Sequence, residues 1–433
     1  MNKRAATVFM SVLLVLMPAC GGGGVVDAYG RRELIVAAFD NVGLLNKLAV
    51  EFNKSNERYF VTIDDYGPGV DGDYRDSLRQ FDAAIMAGSS SRYPDIVVTT
   101  SDHYARLAHQ GAFADLTPYL EADERYDREN MFEKVLDALL MDGKQYGMAV
   151  DFAPHILLMN NAGAALELSL ESMVKLQREA DYPVSGILDL GENLVYWLLA
   201  YLDEFIDWET GTCDFDDPRF LALVEMTADY PQTSDLGSFA EAALENEPIF
   251  MNCQLDSFYK LQAIINLFDG EMTISGFPES EGEVKALFAN IFSITANSRQ
   301  KAAAWDFISG CLDEEFQMAN IDNRYFCLPV SKRVFDEYVA RHSEEIIYMQ
   351  RAWIRETVSF GDEVYEMTRL HEDTIDTYLR MLDMDISGAS AFPQTLADII
   401  GDEIYLYIYE GKPKELMIDA INNRTSLYLK EIK

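Results

Sequence analysis

Apolar and polar positions follow two periods along the chain. Glu33-Leu-Ile-Val-Ala-Ala-Phe39 is a continuous apolar run, the pattern of a strand buried on both faces. Leu44, Leu45, Leu48, Ala49 and Phe52 then recur at helical spacing, and Asn53 to Asn56 marks the stop. Tyr59 to Ile63 predicts a second strand, and Gly67-Pro-Gly69 a loop. Leu78, Phe81, Ile85 and Met86 predict another helix, ended by Gly88, and Pro94 to Val98 a third strand. This β-α-β-α-β alternation predicts a parallel sheet flanked by helices. Downstream, Glu121 to Met141 reads as helical, and Tyr146 to Met159 as extended and apolar with Pro154 inside it. Helices are expected to dominate from Leu166 to Phe268. Met272 to Phe277 and Ala286 to Thr295 read as strands, Lys301 to Phe316 as a helix, and nearly everything after Pro329 as helical. No internal repeat is visible.

The first twenty residues break from this pattern. Lys3 and Arg4 precede an apolar run from Val8 to Met17, which ends at Pro18, Ala19 and Cys20 before four glycines. A basic start, a short apolar run and a small residue before the break read as a secretory signal, not as a span of about 20 residues. Leu16, Ala19 and Cys20 resemble a lipobox, the site at which bacterial lipoproteins are acylated and cut; Met17 and Pro18 are less usual occupants. The resemblance implies a lipoprotein signal peptide over residues 1–19, lipidation of Cys20 (a palmitate-type anchor) and a lipidated glycine-rich tether over residues 20–30. The mature chain would then face outside the cytoplasm, held at the cell membrane by lipid. An ordinary secretory signal with an incidental cysteine is the alternative.

Composition narrows the function classes. The 433 residues are 49% hydrophobic and 25% charged, which excludes a disordered or low-complexity chain. At roughly 100–200 residues per domain, the length predicts two or three domains. Thirty-five basic residues face 73 acidic ones, a formal charge of −38. Such a surface repels phosphate backbones and anionic lipid headgroups, so no nucleic-acid partner is expected. It permits a neutral or cationic ligand. Cys213, Cys253, Cys311 and Cys327 lack CxxC spacing. Export permits disulfides among them, and buried free thiols are the simpler expectation. HExxH, GxSxG and Walker A patterns are absent, so no cofactor, catalytic metal or ATP site is expected. Asp383, Asp385, Ser387 and Gly388 begin like a calcium loop, but Ser390 and Gln394 depart from it, and a helix-ending turn is expected.

Several ordered segments carry a wider resemblance. They are Gly111-Ala-Phe-Ala-Asp-Leu-Thr-Pro-Tyr-Leu120, Asp142-Gly-Lys-Gln-Tyr-Gly147 with the apolar stretch to Asn160, and Ile274-Ser-Gly-Phe-Pro278 with Gly282. The Ala-rich stretch from Ser298 to Ile308 and Leu328-Pro-Val330 complete the set. In this order they resemble the extracellular solute-binding lipoproteins of ATP-binding-cassette importers, in the maltose- and oligosaccharide-binding group (solute-binding protein family 1). The resemblance implies an α/β, two-lobe periplasmic-binding-protein-like fold with three inter-lobe crossings and a central ligand cleft. Crossings would fall near Asp151, Glu283 to Ala286, and Pro329. Residues 31–150 and 287–328 would form the first α/β lobe, and residues 151–286 and 329–433 a second, mostly helical lobe. It also implies a non-enzymatic monomer that captures a carbohydrate and passes it to a membrane ABC permease. Alternatives are the same fold binding a polyamine or other small polar solute, a surface glycoside hydrolase with paired carboxylates, and a sensor that reports to a receptor.

A sugar site needs flat aromatics for pyranose faces and carboxylates for hydroxyls. In parallel sheets ligands sit beyond the carboxyl ends of the strands. Phe39 and Asp40 follow the first strand, Asp64, Asp65 and Tyr66 the second, and Ser101, Asp102 and His103 the third. Asp40, Tyr66, Asp102 and Asp151 are the first-lobe candidates. The second lobe offers Trp197, Tyr201 and Trp208, and also Asp256, Phe258 and Phe277, with Trp353 a weaker candidate. Phe39, Trp197 and Phe258 have apolar neighbours and suit core packing at least as well.

Overall fold

The computed structural model describes residues 25–39, 42–68, 74–88, 92–166, 169–180, 185–187, 201–208, 210–228, 245, 247–255, 258–267, 272–276, 284–321, 327–343, 357–360, 363–366, 370–388 and 394–431. Two main sheets organise them. In chain order their strands are β1 (Arg32–Ala38), β2 (Tyr59–Asp65), β3 (Ile96–Thr99), β4 (Met148–Ala149), β5 (Asp151–Asn160) and β6 (Ser185–Ile187). β7 (Phe250–Gln254), β8 (Met272–Ser275), β9 (Val284–Leu287), β10 (Ile291–Ile294), β11 (Leu328–Pro329) and β12 (Ile386–Gly388) follow.

The first sheet runs β2-β1-β3-β10-β4. β1 pairs in parallel with β2 and with β3, as the β-α-β-α-β pattern predicts. The connecting helices are α1 (Val42–Ser55) and α2 (Tyr74–Met86), and α3 (Ser101–His109) follows β3. β10 joins this sheet antiparallel to both β3 and β4, although 142 residues or more separate it from either in places along the chain's path through the second sheet. Gly147 stands just before β4 because a side chain has no room there. A Cβ at that point would lie 2.5 Å from the Ile291 Cγ2 and 2.7 Å from the Tyr104 Cε2.

The second sheet runs β12-β9-β5-β7-β6, with β8 and β11 also paired to β5. β5 is buried at all ten positions. Ile156 and Leu158 pack into one apolar cluster and Leu157 and Met159 into another, so successive side chains fill opposite faces. That is why its sequence reads as a continuous apolar run. The first cluster is continuous with the core of the first sheet. The second contains Phe205, Phe215, Phe220, Leu396, Ile400 and Met417, from segments on both sides of β7 in the chain.

The structure corrects three elements. Glu121 to Met141 is not one helix: it holds short helical pieces at Thr117–Ala122, Arg128–Asn130 and Glu133–Asp137. Met131 instead bridges to Ser331, and the Phe132 N–H donates to the Val330 carbonyl, so tertiary pairing interrupts the helical pattern. Phe250–Gln254 is a central strand inside a stretch read as mainly helical. Ala286 to Thr295 is two strands in different sheets, β9 and β10. Among the described residues Cys213, Cys253, Cys311 and Cys327 form no disulfide, and Cys253 and Cys311 are buried. Asp383 closes the helix Glu372–Asp383, so the calcium-like segment begins with a helix end.

Candidate functional site

The parallel register of β1, β2 and β3 brings their carboxyl ends together. Phe39 follows β1, Tyr66 follows β2, and α3 begins two residues after β3. The Tyr66 N–H donates to the Ala38 carbonyl at 2.9 Å, which fixes the exit of β2 against β1. The half-buried Tyr66 ring meets Phe81 at 5.6 Å between centroids. Burial and the neighbouring Asp64 carboxylate push its phenol up, so it remains a hydrogen-bond donor at neutral pH. Asp64 pairs with Arg92 at 2.6 Å, and Arg92 also approaches Glu33. Phe39 is buried and packs against Phe81, so it belongs to the core beneath this mouth.

His103 lies in the same place. It is 3% exposed, its ring stands edge-on to Phe39 at 5.2 Å, and neither ring nitrogen has a hydrogen-bond partner among the described residues. Burial, and secondarily Arg106, hold the imidazole down to about 4, so it is neutral at physiological pH. Asp102 belongs to α3 between Ser101 and His103.

Asp151 has a different role from the predicted one. It is fully buried, and its carboxylate is occupied by the chain itself. The Asn290 amide nitrogen donates to its two oxygens at 3.3 and 3.1 Å, and the Cys327 N–H donates to one of them at 3.0 Å. Burial pushes the carboxyl up to about 7, against the opposing pull of these donors. The predicted ligand contact is therefore corrected: no oxygen of Asp151 is open to a ligand here.

Its partners sit where the chain passes between sheets. Asp151 follows β4 of the first sheet and opens β5 of the second; Asn290 lies between β9 and β10; Cys327 precedes β11. Further bonds tie the same points. Ser101 N–H donates to the Phe288 carbonyl at 3.1 Å, and the Phe288 N–H donates back to the Ser101 hydroxyl at 2.8 Å. The Val330 N–H donates to the Val150 carbonyl. Neither Asn290 nor Ser101 was chosen from sequence. The available signal was a polar residue, Asn290, inside the apolar Ala286 to Thr295 run.

Phe258 is also corrected. Its ring is 2% exposed and meets Phe335 and Tyr338 at 5.0 Å and Tyr378 at 4.6 Å. No ring face is left for a sugar, and its apolar neighbours in sequence reflect this core position. Tyr201 is buried in the second cluster, and Trp208 packs at its margin. Cys20, Asp40, Trp197, Asp256, Phe277 and Trp353 lie outside the described residues.

The profile of the bacterial extracellular solute-binding proteins matches residues 47–344, more than half of the chain. No curated protein sequence matches it. Among solved structures, the fold is similar to the ABC substrate-binding protein Lmo0181 from Listeria monocytogenes in complex with cycloalternan. That match has a TM-score of 0.54 at 16% identity and covers 93% of this chain and 98% of that one. The sugar-binding protein MalE from Xanthomonas citri gives 0.55 at 12% identity, over 92% and 98% of the two chains. Maltose-bound T. maritima MalE3 gives 0.52 at 15% identity, over 93% and 100%. At these identities the likeness establishes the two-lobe α/β fold. Among the described residues no helix is long and apolar enough to cross a membrane. With the family profile covering most strands of both sheets and the crossings between them, this chain belongs to the bacterial extracellular solute-binding proteins, a family of binding proteins and not of enzymes.

Proposed function

We propose that the chain is exported, acylated on Cys20 and held at the outer face of the cell membrane, where it captures a carbohydrate, an oligosaccharide in particular, for an ABC importer. The observation that carries this reading is the family match over residues 47–344, joined to a fold shared with proteins solved with cycloalternan and maltose. The mouth of the first lobe supports it. Tyr66 offers a partly open ring and a protonated phenol beside the carboxyl ends of three parallel strands. Asp40 and Asp102 are the proposed hydroxyl partners on this side; Trp197, Asp256 and Phe277 are the proposed second-lobe contacts. The expected working form is a monomer, since capture proceeds by closing two lobes about a hinge.

A thermal-shift screen of the body from Gly30 onward tests the reading against mono- and oligosaccharides, polyamines and amino acids. A ligand at ~1,000 times its dissociation constant stabilises by about 4 kcal/mol, a rise of some degrees in melting midpoint. The expected hit is an oligosaccharide recovered intact. Stabilisation by polyamines alone would overturn the carbohydrate assignment and leave the family and fold in place.

A further inference from the structure

The chain crosses between the two sheets at three places, and one side chain touches all three. The first crossing is Val150–Asp151, the second Phe288–Asn290 and the third Cys327–Val330. Asp151 lies on the first. Its carboxylate accepts from the Asn290 side chain, 139 residues away, and from the Cys327 backbone, 176 residues away. Asp151 and Asn290 are both 0% exposed. Among the described residues no lysine, arginine or histidine pairs with this buried carboxylate, so no ion pair there explains it. Two elements of one lobe could be joined more simply by apolar packing. These bonds instead connect three segments at the junctions between the two sheets.

We propose that Asp151 is a positioning residue, the clasp that holds the three crossings at a common pivot and so restricts the lobes to one axis of opening.

The geometry explains why a carboxylate stands here. Two oxygens can receive the two Asn290 contacts and the Cys327 N–H together, and no other small side chain offers two acceptors from one carbon. Rotation of one sheet against the other must be absorbed by backbone torsions at these short segments. With the clasp made, the three segments turn as one unit. Without it the second crossing is held by Phe288 to Ser101, and the third is joined to the first only through backbone, by Val330 to Val150 and the β11–β5 pairing, and additional lobe orientations become accessible. The proposal concerns the hinge and does not depend on which solute is bound.

The test measures lobe spacing in the ligand-free full chain in detergent. Spin labels are introduced through unnatural amino acids at Glu51 in the first lobe and Glu415 in the second, both exposed, leaving the cysteines untouched. Pulsed dipolar spectroscopy then gives the distance distribution. Asp151→Asn removes the charge and one acceptor at constant size, and Asn290→Ala removes the side-chain donor. Either variant is expected to broaden the distribution beyond replicate wild-type spread, and the double variant to broaden it no further than the wider single one. Phe258→Ala, which empties a core position packed on Phe335, Tyr338 and Tyr378 and makes no part of the clasp, is expected to lower the melting midpoint and leave the distribution unchanged. Wild-type width in folded Asp151→Asn or, should that variant not fold, in Asn290→Ala would overturn the proposal. So would equal broadening in Phe258→Ala, which would reduce Asp151 to general stability.

Discussion

Two buried titratable side chains, Asp151 and His103, pull the stability of this protein in opposite directions over one pH range. Burial raises the Asp151 carboxyl from 3.8 to about 7. Between those values the folded chain keeps a proton that the unfolded chain has released. The stability from this group is complete at the acid end and is lost as pH rises towards 7. His103 falls from 6.5 to about 4. Below 6.5 the unfolded chain takes a proton that the folded chain refuses, so this contribution is lost as pH falls. Urea unfolding across this range should separate them. Relative to wild type, Asp151→Asn should gain stability as pH rises, and His103→Leu should lose it. Difference profiles flat with pH would contradict the assigned protonation states. Position after a strand was legible in sequence for His103, and the crossing at Asp151 was implied by the family resemblance. The environment was not: the partners of Asp151 come from residues 290 and 327, and the walls around His103 from Phe39 and Phe81.

At the scale of elements, the opening strands and helices were readable because each satisfies its own periodicity. β1, β2, β3 and α1 pair or pack locally, so sequence pattern and structure agree. Glu121 to Met141 failed for the opposite reason. Its apolar spacing suits a helix, yet Met131 and Phe132 are recruited by Val330 and Ser331 from the third crossing. Ala286 to Thr295 reads as one strand because extended backbone has the same pattern in either sheet. Phe250–Gln254 shows the ambiguity of short apolar runs, which periodicity alone cannot divide between strand and helix. Gly147 gives a test at this scale. Gly147→Ala would drive a methyl into Ile291 and Tyr104, where β4, β10 and α3 converge. The expected cost is about 1–3 kcal/mol of unfolding free energy, read by urea denaturation. A cost near zero would show that this junction yields more readily than its packing implies.

At the scale of the molecule, two sheets share a chain that passes between them three times. The first sheet takes β10 from a segment that has already contributed β9 to the second. No local pattern announces such an exchange; ordered family-like segments pointed to it, and hydrogen-bonded crossings now give it a physical form. The same crossings link capture to motion. On the proposed reading, a mouth built on Tyr66 would complete a site only when the second lobe meets it, and the hinge would decide whether that meeting is reproducible. The strong acidity belongs to this scale as well. A formal charge of −38 keeps the protein clear of anionic surfaces and leaves neutral sugars free to approach.

The central claim is that a saccharide is captured by closure of two lobes. Small-angle X-ray scattering of the body from Gly30 onward, titrated with the oligosaccharide that most raises its melting midpoint, tests it directly. The account predicts one saccharide bound per monomer, a smaller radius of gyration on saturation, and unaltered sugar recovered afterwards. Saturable binding with an unchanged radius of gyration would contradict capture by closure.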